Sequence, residues 1–195
     1  MLDEDGSQRA LARSIREVAE FVGEQGWDLP PQLFALVPTA DLAAAEPALL
    51  DQLDDGHELT PVAQGPLPPG VEGASPALDE FLATTSWPPA VSGCVLVQQI
   101  VVLPPEAEGT LDDALEPLLA DPDAADSAAR AAADAYPDRR EARLYVGVLR
   151  DGASLSLLQL RPEESEDPFA DEEIELLTYP DLAPNLVEAL LATLD

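Results

Sequence analysis

Few residues in this chain could carry chemistry of the usual kinds. The single histidine, His57, sits in "LDDGHELTP" beside Asp54, Asp55 and Glu58, and the single cysteine, Cys94, sits in the apolar run "SGCVLVQQIVVL". A serine or cysteine nucleophile paired with a histidine base would have to use His57. In a polar loop crowded by carboxylates, that ring reads as solvated and idle. Cys94 reads as an inert buried thiol. A tetrahedral zinc site of the Cys/His type needs four ligands, and one Cys and one His cannot supply them.

Lysine is absent, so every basic residue is an arginine. That excludes a P-loop lysine, a Schiff-base lysine and a kinase-type phosphate lysine. Neither G-x-G-x-x-G nor G-x-S-x-G occurs, so neither a dinucleotide fold nor an ordinary esterase is indicated. The 39 Asp and Glu residues could supply acid and base pairs or hold a divalent cation, but their spacing singles out no pair and lacks the order of an EF-hand. No catalytic residue, metal ligand or cofactor is assigned.

Charge sets the partners. With 39 acidic against 9 basic residues the formal charge is -30. A field of that sign repels phosphate backbones and anionic headgroups, so neither nucleic acid nor membrane insertion is expected. No run reaches the ~18 apolar residues of a membrane span. The opening "MLDEDGSQRA" lacks the basic-then-apolar order of a signal peptide, so a cytoplasmic location is expected.

The elements that must position any site follow from periodicity. Leu11, Ile15, Val18 and Val22 recur at helical spacing, which predicts a first helix from about Ser7 to Val22 with Ser7 as its N-cap and Gly23 and Gly26 as stops. In "WDLPPQLFALVPTADL", residues 27–42, Pro30 and Pro31 force extended entry, Leu33 to Val37 read as a buried strand, and Pro38 ends it. Thr39 is placed to cap a helix over about 40–53 that breaks at Pro47. This stretch reads as a structural joint, with Trp27, like Trp87, at the edge of a core.

Residues 54–75 form a Pro- and Gly-rich connection with an edge strand near Leu59 to Gln64; its Pro66 and Pro69 share a P-x-x-P spacing that reads as surface chain. Ser75 and Pro76 open a helix carrying Leu78, Phe81 and Leu82, which Trp87-Pro88-Pro89 ends. Val91 to Leu103, apolar on both faces except at Gln98 and Gln99, reads as a central strand covered on both sides. Residues 104–120 are poorly defined. Asp121-Pro122 begins an alanine-rich helix to about Tyr136.

Two strands joined by Asp151-Gly152 follow, and that dipeptide favours a two-residue type I′ turn. In that register Val148 opposes Leu155 and Val146 opposes Leu157. The other face then collects Arg143, Tyr145, Leu149, Leu158 and Leu160 beside small residues, and these five are the candidate partner-binding surface. The acidic stretch near 162–173 reads as a mobile loop. A short strand, Ile174 to Tyr179, and a helix capped by Asp181 with a Leu186, Val187, Leu190, Leu191 and Leu194 stripe complete the chain. The order predicts one α+β domain over 1–195, with a mixed, largely antiparallel sheet of five to six strands packed by helices.

The stretch from Trp27 to Leu42, with "LTPVAQGPLP", "DEFLATTSWP", "LYVGVLRDG" and "PDLAPNLVEALLATL", resembles a family of small acidic actinobacterial proteins of unknown function, over nearly the whole chain. The resemblance implies a single-domain cytoplasmic protein and transfers no catalytic residue. In architecture alone the order also resembles secretion-chaperone-like folds, which dimerise and hold partner segments. The expected function is a non-enzymatic protein-binding adaptor or chaperone-like module, acting on a protein partner or as a homodimer. The alternative is a carboxylate-based, metal-assisted hydrolase or isomerase. A pocket of buried carboxylates would favour the enzyme, and an exposed apolar sheet face the binder.

Overall fold

The computed structural model describes residues 4–53, 56–73, 75–107, 109, 113, 120–162, 174–178 and 182–195. Helix α1 (Glu4–Gln25) carries Leu11, Ile15, Val18 and Val22 on its buried side. It begins before Ser7, which is therefore a buried helical residue and not a cap. The Ser7 hydroxyl donates to the Asp151 carboxylate, and Gln8 donates through Nε2 to the Ser154 carbonyl at 3.2 Å, tying the first turns of α1 to the far hairpin. Gly26, at φ +87°, takes the left-handed conformation that stops the helix.

Strand β1 (Gln32–Pro38) leads into α2 (Thr39–Ala45), and a 3₁₀ turn restarts at Pro47, where a break was expected. Thr39 does not cap α2. Its hydroxyl lies 2.9 Å from that of Thr60, stitching the strand end to β2 (Leu59–Ala63). Helix α3 (Pro76–Ala83) has the expected cap, the Ser75 hydroxyl accepting from the Leu78 amide at 3.1 Å. Strand β3 (Gly93–Val102) follows, then α4 (Pro122–Ala135), whose cap Asp121 accepts from the Ala124 amide. The hairpin of β4 (Arg140–Leu149) and β5 (Ser154–Leu160) precedes α5 (Pro184–Ala192). The N-cap position of α5 belongs to Ala183, at φ +53°; Asp181 and the acidic segment 163–173 lie outside the described residues.

One five-stranded sheet runs β2-β1-β3-β4-β5, with every pairing antiparallel. The fold is a single α+β domain, and the mixed character expected of the sheet resolves to a purely antiparallel one. Among the described residues, 174–178 of the expected strand contribute a single bridge, in which Leu177 and Leu158 exchange two backbone hydrogen bonds of 2.7 and 2.8 Å. As expected, β2 is an edge and β3 is central. Residues paired as Ala35 with Val62 and Val37 with Thr60 turn their amides inward, as the Gln64 amide's bond to the Leu33 carbonyl fixes, so Pro61 faces outward. A residue without an N–H at that point blunts the open edge.

The hairpin register differs by one residue from the expectation. Val148 pairs with Ser154, Tyr145 with Leu157 and Leu144 with Leu158. A type I′ turn needs positive φ at both central residues, and Asp151 does not adopt it; only Gly152 does, at +93°. Asp151 instead accepts from the Ala153 amide at 2.9 Å, the Gly152 amide bonds the Leu149 carbonyl, and the Leu149 amide bonds the Ala153 carbonyl. The loop is thus three residues long, and a one-residue slip turns every β5 side chain to the opposite face.

Both faces of the sheet are covered from within the chain. On one, α1 packs Leu11, Ile15, Val18 and Val22 against Phe34, Val95, Val97, Tyr145, Leu149 and Leu157. On the other, α3 and α5 bring Leu78, Leu82 and Leu190, and the residues after α5 bring Leu194, to Leu33, Leu96, Leu144, Val146 and Leu158. None of the described α4 side chains is buried. Among the described residues, cover therefore comes from the first and last helices, with α3.

Candidate functional site: an arginine and tryptophan cleft

Where α1 ends, the sheet continues past it, and the loop through Gly26, Trp27 and Asp28 turns back over the ends of β4 and β5. Asp28 holds φ +63°, a conformation Asp tolerates better than most residues. Its amide donates to Gln99 Oε1 at 2.9 Å, and its carboxylate takes Arg161 at 3.1 Å. These bonds aim Trp27 at the sheet. The Arg143 guanidinium lies 4.2 Å from the ring centroid of Trp27 and that of Arg161 lies 5.5 Å away, both within cation–π range.

Arg143 is almost fully buried, at 2% exposure. Its guanidinium donates to the Gly26 carbonyl, and among the described residues it has no carboxylate partner. Arg161 is held differently, between Asp28 and Glu141. The Arg161 hydrogen bond to Asp28 holds that carboxyl below its ordinary range, and the same bond raises the Arg161 guanidinium. Arg140 is exposed, and its side chain makes no hydrogen bond or ion pair among the described residues. Beneath them the Tyr145 hydroxyl donates to Gln159 Oε1 at 2.7 Å, and burial pushes its pKa up.

Trp27, Gln159 and the three arginines border an open cleft of about 620 Å³. Arg140, Arg143 and Arg161 make it basic; Leu160, Ile174 and Leu177 give it apolar surface; Glu20, Glu24 and Glu175 also line it. All three glutamates are exposed, so the cleft is not a pocket of buried carboxylates. Among the described residues no group of three or more His, Cys, Asp or Glu side chains could hold a metal ion. The arrangement can recognise a ligand by charge and stacking.

The five residues expected to form one partner surface do not share a face. Arg143, Tyr145 and Leu149 lie on the α1 side, and Leu158 and Leu160 lie on the α3 and α5 side. Tyr145, Leu149 and Leu158 are core residues, while Arg143 and Leu160 reach the cleft. Trp27, read from sequence as the edge of a core, proves to be a wall of this cleft. Its neighbours, Gly before it and Asp after it, both take positive φ, and a Gly-Trp-Asp run directly after a helix was the available signal. Trp87 does close a core edge, donating from Nε1 to the Thr193 hydroxyl at 3.0 Å. Cys94 is buried beside that hydroxyl, and burial pushes its pKa up to about 11. His57 is not freely solvated: its Nδ1 is 3.3 Å from Glu17 Oε2.

An antiparallel sheet sealed on both faces, with its one tryptophan-and-arginine cleft among the described residues at a strand end, defines an α+β domain organised around that opening. The chain belongs to the family of PPA1309-like proteins, a family of uncharacterised proteins whose model matches residues 11–195. No curated protein and no solved structure matches it. Among the described residues no helix is long and apolar enough to cross a membrane.

Proposed function

We propose that this protein is a non-enzymatic, cytoplasmic binding module, an adaptor or chaperone-like protein, that takes a segment of a protein partner in the Trp27 cleft. One observation carries this reading. In a chain with only nine basic residues, Arg143 and Arg161 lie over one tryptophan at an open cleft that Arg140 also lines. Tryptophan and arginine are the residues that most often dominate binding energy between proteins. The surrounding -30 field adds a long-range attraction for a partner of net positive charge, which raises the rate of encounter more than the affinity.

The test is affinity capture from the source cell with the wild type and with Trp27→Ala, both first checked for cooperative unfolding. Partners that vanish with Trp27→Ala and are captured less well as salt rises support the reading. The same partners captured equally by both proteins would place binding elsewhere.

A further inference from the structure

We propose that the Trp27 cleft is a receptor for the free carboxylate of a peptide C-terminus whose last residue is apolar. The inference rests on the reading of this cleft as a protein-binding site and names what the partner presents there. The cleft holds two kinds of surface side by side. Its floor is the Arg143 guanidinium, buried at 2% exposure, which donates to the Gly26 carbonyl, lies over the Trp27 ring, contacts the Tyr145 hydroxyl and shares the field of the Asp28 carboxylate with Arg161. With one carboxylate, Asp28, shared between Arg143 and Arg161, the two cations are not fully balanced, and an anion brought beside a desolvated guanidinium is bound more strongly than in water.

Above that floor the Arg140 guanidinium has no partner among the described residues, whereas that of Arg161 is already taken by Asp28 and Glu141. The open Arg140 fork suits the planar, two-oxygen geometry of a carboxylate. Beside them Trp27, Leu160, Ile174 and Leu177 supply the apolar wall for a side chain next to that carboxylate.

The exposed Glu20, Glu24 and Glu175 decide between a compact anion and an extended one. They repel a ligand that is anionic along its length. A peptide whose only negative charge is its terminus avoids them, and basic residues a few positions upstream would meet them favourably. The -30 field acts in the same direction.

The probe is an acetylated hexapeptide with two arginines near its start and leucine at its end, made with a free C-terminus and as the C-terminal amide. Each is titrated calorimetrically into the full chain at low and at physiological salt. The free acid is expected to saturate and to bind at least about tenfold more tightly than the amide. Arg140→Gln, an exposed change that leaves the core intact, is expected to weaken the acid about five- to tenfold and leave the amide unaltered. Equal binding of acid and amide, an unchanged affinity in Arg140→Gln, no saturation by either peptide, or acetate binding as tightly as the peptide would each overturn the carboxylate site. The two readings fail separately. Loss of the acid preference while Trp27-dependent capture persists removes only this inference; capture that ignores Trp27 while the acid preference holds removes only the broader one.

Discussion

The Arg143 guanidinium lies 4.2 Å from the centre of the Trp27 ring and donates to the carbonyl of Gly26, the residue that ends α1. One side chain of the sheet therefore fixes the helix stop and the aromatic wall of the cleft together. The stack is worth about 0.5–2 kcal/mol and a charged hydrogen bond about 1.5–3 kcal/mol.

Arg143→Met keeps the length of the side chain and removes the charge, so it should cost about 2–4 kcal/mol and free the Gly26–Asp28 loop. Urea unfolding gives the cost. Emission of Trp27, read in a Trp87→Phe background, should shift to the red in the native state; an unchanged spectrum would mean that the ring holds its place without the guanidinium.

Two glycines should differ in what they tolerate. A methyl at Gly147 would meet Leu11 Cδ1 at 2.8 Å and Ile15 Cδ1 at 3.0 Å, the movable ends of side chains. A methyl at Gly93 would meet the Val148 carbonyl oxygen at 2.3 Å, in the backbone of the paired strand. Gly147→Ala is expected to cost about 1–3 kcal/mol and Gly93→Ala more than that. The order of the two unfolding midpoints is the check.

Tyr145 and Leu158 stand on opposite faces of the sheet, and both are core. Tyr145→Ala should cost about 3–5 kcal/mol by leaving a cavity under α1. Leu158→Asp places a charge under α5 and should abolish cooperative unfolding. A folded Leu158→Asp would mean that its face is open to water.

The Cys94 thiol should react with alkylating reagents roughly a hundredfold more slowly in the native protein than in urea, because only the rare opened state exposes it. Its folded pKa is raised, so the native state holds a proton that the unfolded chain releases first. Stability is thus unaffected below the ordinary thiol value of 9.0 and falls as pH rises from there through about 11. The loss from this group is at most about 2–3 kcal/mol. Cys94→Ala should flatten that alkaline limb in a pH series of melting curves.

Arg150 donates to the Val91 carbonyl at 2.7 Å, to that of Leu194, and to those of Trp87 and Pro88 at 3.1 and 3.2 Å. It clasps the end of α5 to the loop before β3. Arg150→Ala should cost about 2–4 kcal/mol and speed amide exchange in Pro184–Ala192 before it does so in β4. Equal acceleration in both would show that the helix and the sheet open as one unit.

Much of the fold could be read from local signals. The apolar stripe of α1, the Ser75-Pro76 start of α3, the Asp121-Pro122 start of α4 and the two-sided apolar run of β3 each declare themselves within a few residues. Ser7, Thr39 and the hairpin register were misread for a common reason. Each has a partner far along the chain: Asp151 for Ser7, Thr60 for Thr39, and Ser7 for Asp151 in the turn. The cleft was hidden in the same way, since Trp27 and Arg143 meet only after α1 has crossed the sheet. Arg143 was singled out in sequence, but with core residues as companions instead of Trp27 and Arg161.

The sheet order also sets the tempo of assembly. Its central strand finds no partner nearby in sequence: β3 must pair Val97 with Gln32 on one side and Val102 with Arg140 on the other. Only β4 and β5 close through a tight loop. Closing long loops before any compensating contact exists places the rate in the slow range of β-rich topologies, about milliseconds to seconds, with the hairpin as the natural first-formed template and docking of β3 as the slow step.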